Sequence, residues 1–124
     1  MEYVQTKNAP QAIGPYSQAV SHDGLVYTSG QIALTLDGVM LENDIVIQTE
    51  QVLKNLEAVL LEAGSSMSQV IKTNIFLDSM DDFAIVNGIY EKAFGNHKPA
   101  RATVAVQTLP KNALVEIDAI AIVG

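Results

Sequence analysis

The segment near the end of the chain, Val115-Glu116-Ile117-Asp118-Ala119-Ile120-Ala121-Ile122-Val123, is apolar at most positions of both parities. Side chains of a strand alternate between faces, so an extended segment of this kind needs cover on both sides of its sheet. The chain offers two long helical stretches as cover. The expected architecture is therefore a sheet with helices on one face and an uncovered second face, which self-association would close.

The first helical stretch runs from about Asp44 to Ala63, where Ile45, Val52, Leu53, Leu56, Val59, Leu60 and Ala63 recur at three- and four-residue steps. Gly64 is placed to end it. Glu50 and Lys54 sit four apart on its polar side, the spacing of a surface ion pair. A second helix is expected over Met80–Phe94, with Ser79 as N-cap, Phe83, Val86, Tyr90, Ala93 and Phe94 on its stripe, and Gly95 as its stop.

Extended segments are expected near Tyr3–Thr6, and over Ser17–Val20, Leu25–Ile32, Val70–Leu77, Ala102–Gln107 and Leu114–Val123. His22-Asp23-Gly24 reads as a hairpin turn, and Asp37-Gly38 as another turn. The order of strands, helix, strand, helix and strands predicts one α+β domain over residues 1–124, a mixed sheet with two helices packed on one face.

Composition narrows the chemistry. The 124 residues carry 7 Lys and Arg against 14 Asp and Glu, a net charge of -7 that repels phosphate backbones, so no nucleic acid partner is expected. There is no cysteine, and the two histidines, His22 and His97, lie far apart without ligand spacing, so no metal site is expected. Neither a Gly-x-Ser-x-Gly elbow nor a phosphate-binding loop is present. The mean hydropathy of +0.21 fits a globular chain, and no apolar stretch is long enough to span a membrane. The opening residues lack a secretory or transit pattern, so the cytoplasm is the expected location.

What remains is a guanidinium and a carboxylate inside strand-like segments, Arg101 and Glu116. Arg101 shares a face with Thr103, Ala105 and Gln107, leaving Ala102, Val104 and Val106 with core parity; Glu116 and Asp118 lie opposite Val115, Ile117 and Ala119. Whether Arg101 and Glu116 meet depends on strand register. The pair reads either as a fork that grips a small carboxylate beside a group that handles water, or as a structural ion pair. Tyr16, in the stiff Asn8–Tyr16 segment with Pro10, Gly14 and Pro15, lines a pocket or packs in a turn. Ser29-Gly30 admits a ligand near the backbone or forms a bulge. Asn87 lies at the edge of the second helix's stripe, and both histidines are expected at the surface.

Five blocks occur in one order: Asn8-Ala9-Pro10, Ile13-Gly14-Pro15-Tyr16-Ser17-Gln18-Ala19, Tyr27-Thr28-Ser29-Gly30-Gln31-Ile32, Pro99-Ala100-Arg101, and Leu109-Pro110-Lys111 with Val115-Glu116-Ile117. Together they closely resemble the RidA (YjgF) family of reactive enamine and imine deaminases over essentially the whole chain. The resemblance implies a chorismate-mutase-like fold and a homotrimer with a central barrel and clefts between subunits. It implies hydrolysis of 2-aminoacrylate and 2-aminocrotonate, or their imines, to 2-oxo acids and ammonia, without a cofactor. The substrates would come from pyridoxal-phosphate-dependent dehydratases. By the same resemblance Arg101 clamps the carboxylate and Glu116 handles water, while Tyr16, Ser29, Gly30, Asn87 and Thr103 shape the pocket. Many members carry serine and then cysteine or threonine after the arginine; here Ala102 and Thr103 follow, which rules out a thiol reaction at this site. Binding of 2-oxo acids without turnover, or cleavage of single-stranded RNA, are the alternatives the resemblance leaves.

Overall fold

In the computed structural model, which describes Met1–Gly124 throughout, β1 (Glu2–Val4), β2 (Ala19–His22), β3 (Leu25–Thr28), β4 (Val70–Leu77), β5 (Ala100–Ala105) and β6 (Val115–Ile122) form one sheet. Its spatial order is β1-β2-β3-β6-β4-β5. The helices α1 (Ile45–Glu62) and α2 (Phe83–Phe94) cover one face. β4 and β5 pair in parallel across the α2 crossover, and every other pairing is antiparallel. The last strand, β6, fills the slot between β3 and β4 that the α1 crossover leaves open. The segment most in need of cover therefore becomes a central strand.

The β2–β3 hairpin turns on Asp23 and Gly24, both with positive φ (52° and 79°), as a two-residue turn with matching right-handed twist requires. α1 begins at Asp44, whose carboxylate accepts from the Ile47 amide at 3.0 Å, and the chain leaves it through Gly64 at φ 81°. Val26, Val70, Ile75, Leu77, Val115, Ile117, Ala119 and Ala121 line the covered face of the sheet. They pack against Val52, Leu56, Val59 and Leu60 of α1 and Val86, Tyr90 and Phe94 of α2. No helix is long and apolar enough to cross a membrane.

Several details differ from the sequence reading. The second helix opens with a 3-10 turn over Met80–Asp82, capped by the Ser79 hydroxyl accepting from the Asp81 amide at 3.1 Å, and becomes α-helical at Phe83. β5 starts and ends two residues earlier than expected. Its parity is also reversed: Ala102 and Val104 are on the uncovered face, and Arg101 and Thr103 are on the helix side. The parallel register decides this, because Arg101 lies across from buried Thr73 and Thr103 across from buried Ile75. His97 is not a free surface group, since its Nε2 lies 2.5 Å from the Val70 carbonyl oxygen and its ring meets Phe94. Glu50 and Lys54 form no ion pair; on the surface His22 Nε2 lies 3.3 Å from the Asp23 carboxylate.

The uncovered face carries Tyr3, Val20, Tyr27, Phe76, Val104, Ile120 and Ile122, with Tyr3 75%, Tyr27 45%, Val104 47% and Ile122 46% exposed. These exposed apolar side chains lie together on a face that no helix covers, the kind of surface that marks an interaction site.

The irregular segment before β2 is held by one buried amide. Gln18 accepts from the Thr6 amide at 2.7 Å and donates to the carbonyls of Pro10 at 2.8 Å and Thr6 at 3.1 Å. Gln18→Ala strands these groups and is expected to cost about 2–3 kcal/mol in chemical denaturation, with Tyr16 the first side chain to lose its fixed position by NMR.

Candidate functional site

Two depressions hold the residues singled out in the sequence, Thr103 excepted. The first has a cavity volume of about 550 Å³ and is lined by Tyr16, Ser29, Gly30, Gln31, Lys111 and Glu116 among others. One wall is the Asn8–Tyr16 segment, pinned to the end of β3 by the Ser29 hydroxyl donating to the Ser17 carbonyl at 2.5 Å and the Ser29 amide donating to Gln18 at 2.9 Å. The Ser29 proton is thus committed to the backbone, and toward a ligand its oxygen is an acceptor. Gly14, at φ 132°, lets the chain turn beneath Tyr16, whose hydroxyl accepts from the Ile13 amide at 3.4 Å.

The floor of this cavity is a close approach of two strands. Gln31 and Ile117 exchange backbone hydrogen bonds of 2.9 and 3.1 Å, which brings the Gly30 backbone over Glu116. A Cβ added at Gly30 would lie 2.6 Å from Glu116 Oε2 and 2.7 Å from its Cδ. A side chain at position 30 would push the Glu116 carboxyl out of its present place. Glu116 has no cation within ion-pair distance, and burial, assisted by the charge of Asp118, raises its pKa above the usual carboxylate value. Asp118 in turn accepts from the Asn74 amide at 2.9 Å.

The second depression, of about 430 Å³, lies between α2 and the start of β5 and includes Asn87, Tyr90, His97, Lys98 and Arg101. Arg101 donates through Nη1 to Asn87 Oδ1 at 2.6 Å, and its guanidinium carbon stands 5.0 Å from the Tyr90 ring centre and 5.7 Å from that of Phe83. The Tyr90 hydroxyl pairs with Thr73 Oγ1 at 2.7 Å; burial raises its pKa, opposed by that bond and by the Arg101 charge. Thr103, two residues along the same face as Arg101, has a buried hydroxyl without a partner.

Tyr16, Ser29, Gly30 and Glu116 are therefore brought together, as are Asn87 and Arg101. Arg101 and Glu116 are not. β4 separates their strands, and Glu116, paired with Phe76, points to the uncovered face while Arg101, paired with Thr73, points to the helices. The sequence reading did not link Tyr90 and Phe83 to Arg101, although Phe83, Asn87 and Tyr90 follow the i, i+4, i+7 spacing of one helix face. Nor did it single out Lys111 for the first cavity, which this residue reaches with left-handed backbone at φ 56°.

The family described as endoribonuclease L-PSP matches residues 6–123. The chain belongs to that family. YyfA of Yersinia pestis, a structure of the conserved Rid protein family, is 52% identical and superposes with a TM-score of 0.96, covering 98% of each chain. The fold and the RidA family expected from the sequence are thereby upheld. A mouse protein named 2-iminobutanoate/2-iminopropanoate deaminase is 44% identical over 122 residues, 98% of this chain and 90% of its own length. TdcF of E. coli, crystallised with bound serine, is 37% identical with a TM-score of 0.94 over the full length of both chains.

Because the folded state favours protonated Glu116, stability contributed by that proton is present at low pH and lost as pH rises through the raised pKa. Glu116→Gln is expected to be more stable than the native protein near pH 8, by thermal denaturation, with the advantage disappearing below about pH 4. A mutant less stable than native at the higher pH would contradict the buried, unpaired carboxylate.

Proposed function

We propose that the chain hydrolyses reactive 2-enamino and 2-imino acids to 2-oxo acids and ammonia. The observation that carries this reading is the Glu116 carboxyl, held against Gly30 on the floor of the first cavity without a neutralising cation. A carboxyl with a raised pKa is suited to exchanging protons with water and with a leaving amine. The name of the mouse relative and the serine bound by TdcF support a small amino-acid-like ligand.

The opposed directions of Arg101 and Glu116 argue that one chain cannot supply the whole site. In the proposed assembly, a homotrimer with clefts between subunits, the Tyr16, Ser29, Gly30 and Glu116 half of one copy faces the Asn87, Arg101 and Thr103 half of the next. The apolar uncovered face supplies the driving force for association.

In such a cleft Arg101 grips the substrate carboxylate through the donors that Asn87 leaves free. The iminium carbon is already electrophilic, so no cofactor is called on. Glu116 takes a proton from water as its oxygen adds to that carbon, forming a carbinolamine, and returns the proton to nitrogen; the C–N bond then breaks as the carbinolamine hydroxyl gives up its proton, through Glu116, to the departing ammonia. The balance is iminium carboxylate plus water giving 2-oxo acid plus ammonium. For an enamine, protonated Glu116 first delivers its proton to C3. The cytoplasm, where pyridoxal-phosphate-dependent dehydratases release such imines, is the proposed setting.

A second reading, reversible carboxylate binding without turnover, draws on the same clamp and on TdcF binding serine. RNA cleavage, suggested by the family description, is disfavoured by the net charge of -7 and the lack of paired histidines.

The test couples a threonine dehydratase to this protein and follows ammonia and 2-oxobutanoate. Acceleration over the dehydratase alone is expected; none, with imine formation verified, would overturn hydrolysis and leave the binding reading. Arg101→Ala is expected to lower kcat/KM by about 10²-fold or more, and Glu116→Gln to lower kcat by about 10²–10⁴-fold. An equal mixture of the two variants, refolded together, is expected to recover activity in about a quarter of its clefts, as random assortment in a closed ring requires. A mixture no more active than its components would contradict the shared cleft.

A further inference from the structure

We propose that Tyr90 and Phe83 are positioning residues for Arg101, their rings and the Asn87 carbonyl fixing the guanidinium plane so that its free N–H edge meets a ligand carboxylate. The inference rests on Arg101 being the carboxylate clamp.

Arg101 is exposed and stands on an edge strand, where a long side chain would ordinarily sample many rotamers. Its surroundings remove that freedom. Phe83, Asn87 and Tyr90 project from one face of α2, and all three contact the guanidinium: two rings at 5.7 and 5.0 Å and one carbonyl oxygen at 2.6 Å. A guanidinium has five N–H donors, all directed outward in its plane. Ring faces stabilise its charge without using these donors, and Asn87 takes one. The rest stay available along the edge, the geometry a planar carboxylate accepts in two parallel bonds.

The Tyr90 ring is itself anchored. It is 7% exposed, backed by the Phe94 ring at 4.5 Å, and tied by its hydroxyl to Thr73 at 2.7 Å. Thr73 is fully buried and lies directly across from Arg101 in the β4–β5 register. The strand pair thus holds both the clamp and the anchor of the ring that steadies it. A leucine at position 90 would keep an apolar side chain there while removing both the ring face and the Thr73 bond. Loss of the ring face is thereby separable from loss of ordinary apolar packing.

The experiment compares native protein with Phe83→Ala, Tyr90→Leu, Tyr90→Phe and Thr73→Val. It measures 2-oxobutanoate binding by calorimetry, steady-state imine turnover, and the Arg101 Nε–H resonance identified through Arg101→Lys. Phe83→Ala and Tyr90→Leu are expected to raise Kd and KM by about 3- to 30-fold, the span of a cation–π contact, with kcat changed less than about twofold. Tyr90→Phe is expected to recover most of the Tyr90→Leu loss. Thr73→Val, which frees the hydroxyl while keeping the ring, is expected to weaken binding less than Tyr90→Leu. The Nε–H resonance should be ring-shifted upfield in native protein and move downfield in Phe83→Ala and Tyr90→Leu.

Native Kd and an unmoved resonance in folded Phe83→Ala would overturn the proposal even if Tyr90→Leu fails to fold, as would a fall in kcat with KM unchanged. If native protein neither binds 2-oxobutanoate nor releases ammonia, the clamp reading fails, while the resonance still decides whether the rings hold the guanidinium.

Discussion

The pleat of β6 is the constraint on which the molecule depends. Ile117 and Glu116 are neighbours in sequence, and the alternation of a strand sends one into the core and the other to the uncovered face. Burying Val115, Ile117, Ala119 and Ala121 beneath the helices leaves Glu116 and Asp118 no choice of side. The same burial that stabilises the domain thus sets a carboxylate on a face that has no helix to cover it. With Gly30 pressed against it through the Gln31–Ile117 bridge, that carboxylate is held half out of water and close to a second negative charge.

The cost of this arrangement is local, and in the proposed reaction the gain is chemical. A charged group desolvated without a partner opposes folding, and the molecule carries Glu116 in that state on one of its best-paired strands. In the proposed reaction a rigid platform suits Glu116, since a group that passes protons has to be held within hydrogen-bond reach of its target. Arg101 is treated in the opposite way. It stands on an edge strand, exposed, and its position is defined by what α2 presents to it rather than by burial. The two groups thus represent different solutions to the problem of holding a charge still.

In the proposed assembly, their separation within one chain gives the uncovered face a meaning beyond surface hydrophobicity. Tyr27, Val104 and Ile122 on that face are exposed, and Glu116 shares it. Association that covers the apolar residues would also close the Glu116 cavity against a neighbour. Stability of an assembly and completion of a site would then be served by the same contacts.

Much of this was legible in the order of residues. The three- and four-residue steps of α1 and α2, the Asp23-Gly24 hairpin and the glycines at 64 and 95 are local signals, each read through a few neighbouring positions. The paired apolar parities of β6 foretold an uncovered face, whereas Tyr16, Ser29, Gly30 and Glu116 were pocket candidates only through the family resemblance, a packed turn, a bulge or an ion pair being equally open from the residues alone. Strand parity on β5 was not legible. Ala102 and Val104 look like core residues and Arg101 like a solvent group, but a parallel register with β4, set across the α2 crossover, turns Arg101 toward the helix layer. The service of Gln18, which ties down the Tyr16 segment, and of Tyr90, which supports the Arg101 side chain, was hidden for the same reason. Periodicity is a property of one segment and fixes which residues share a face; which face meets the helices depends on a pairing between segments distant in the chain, and only the folded structure decides that.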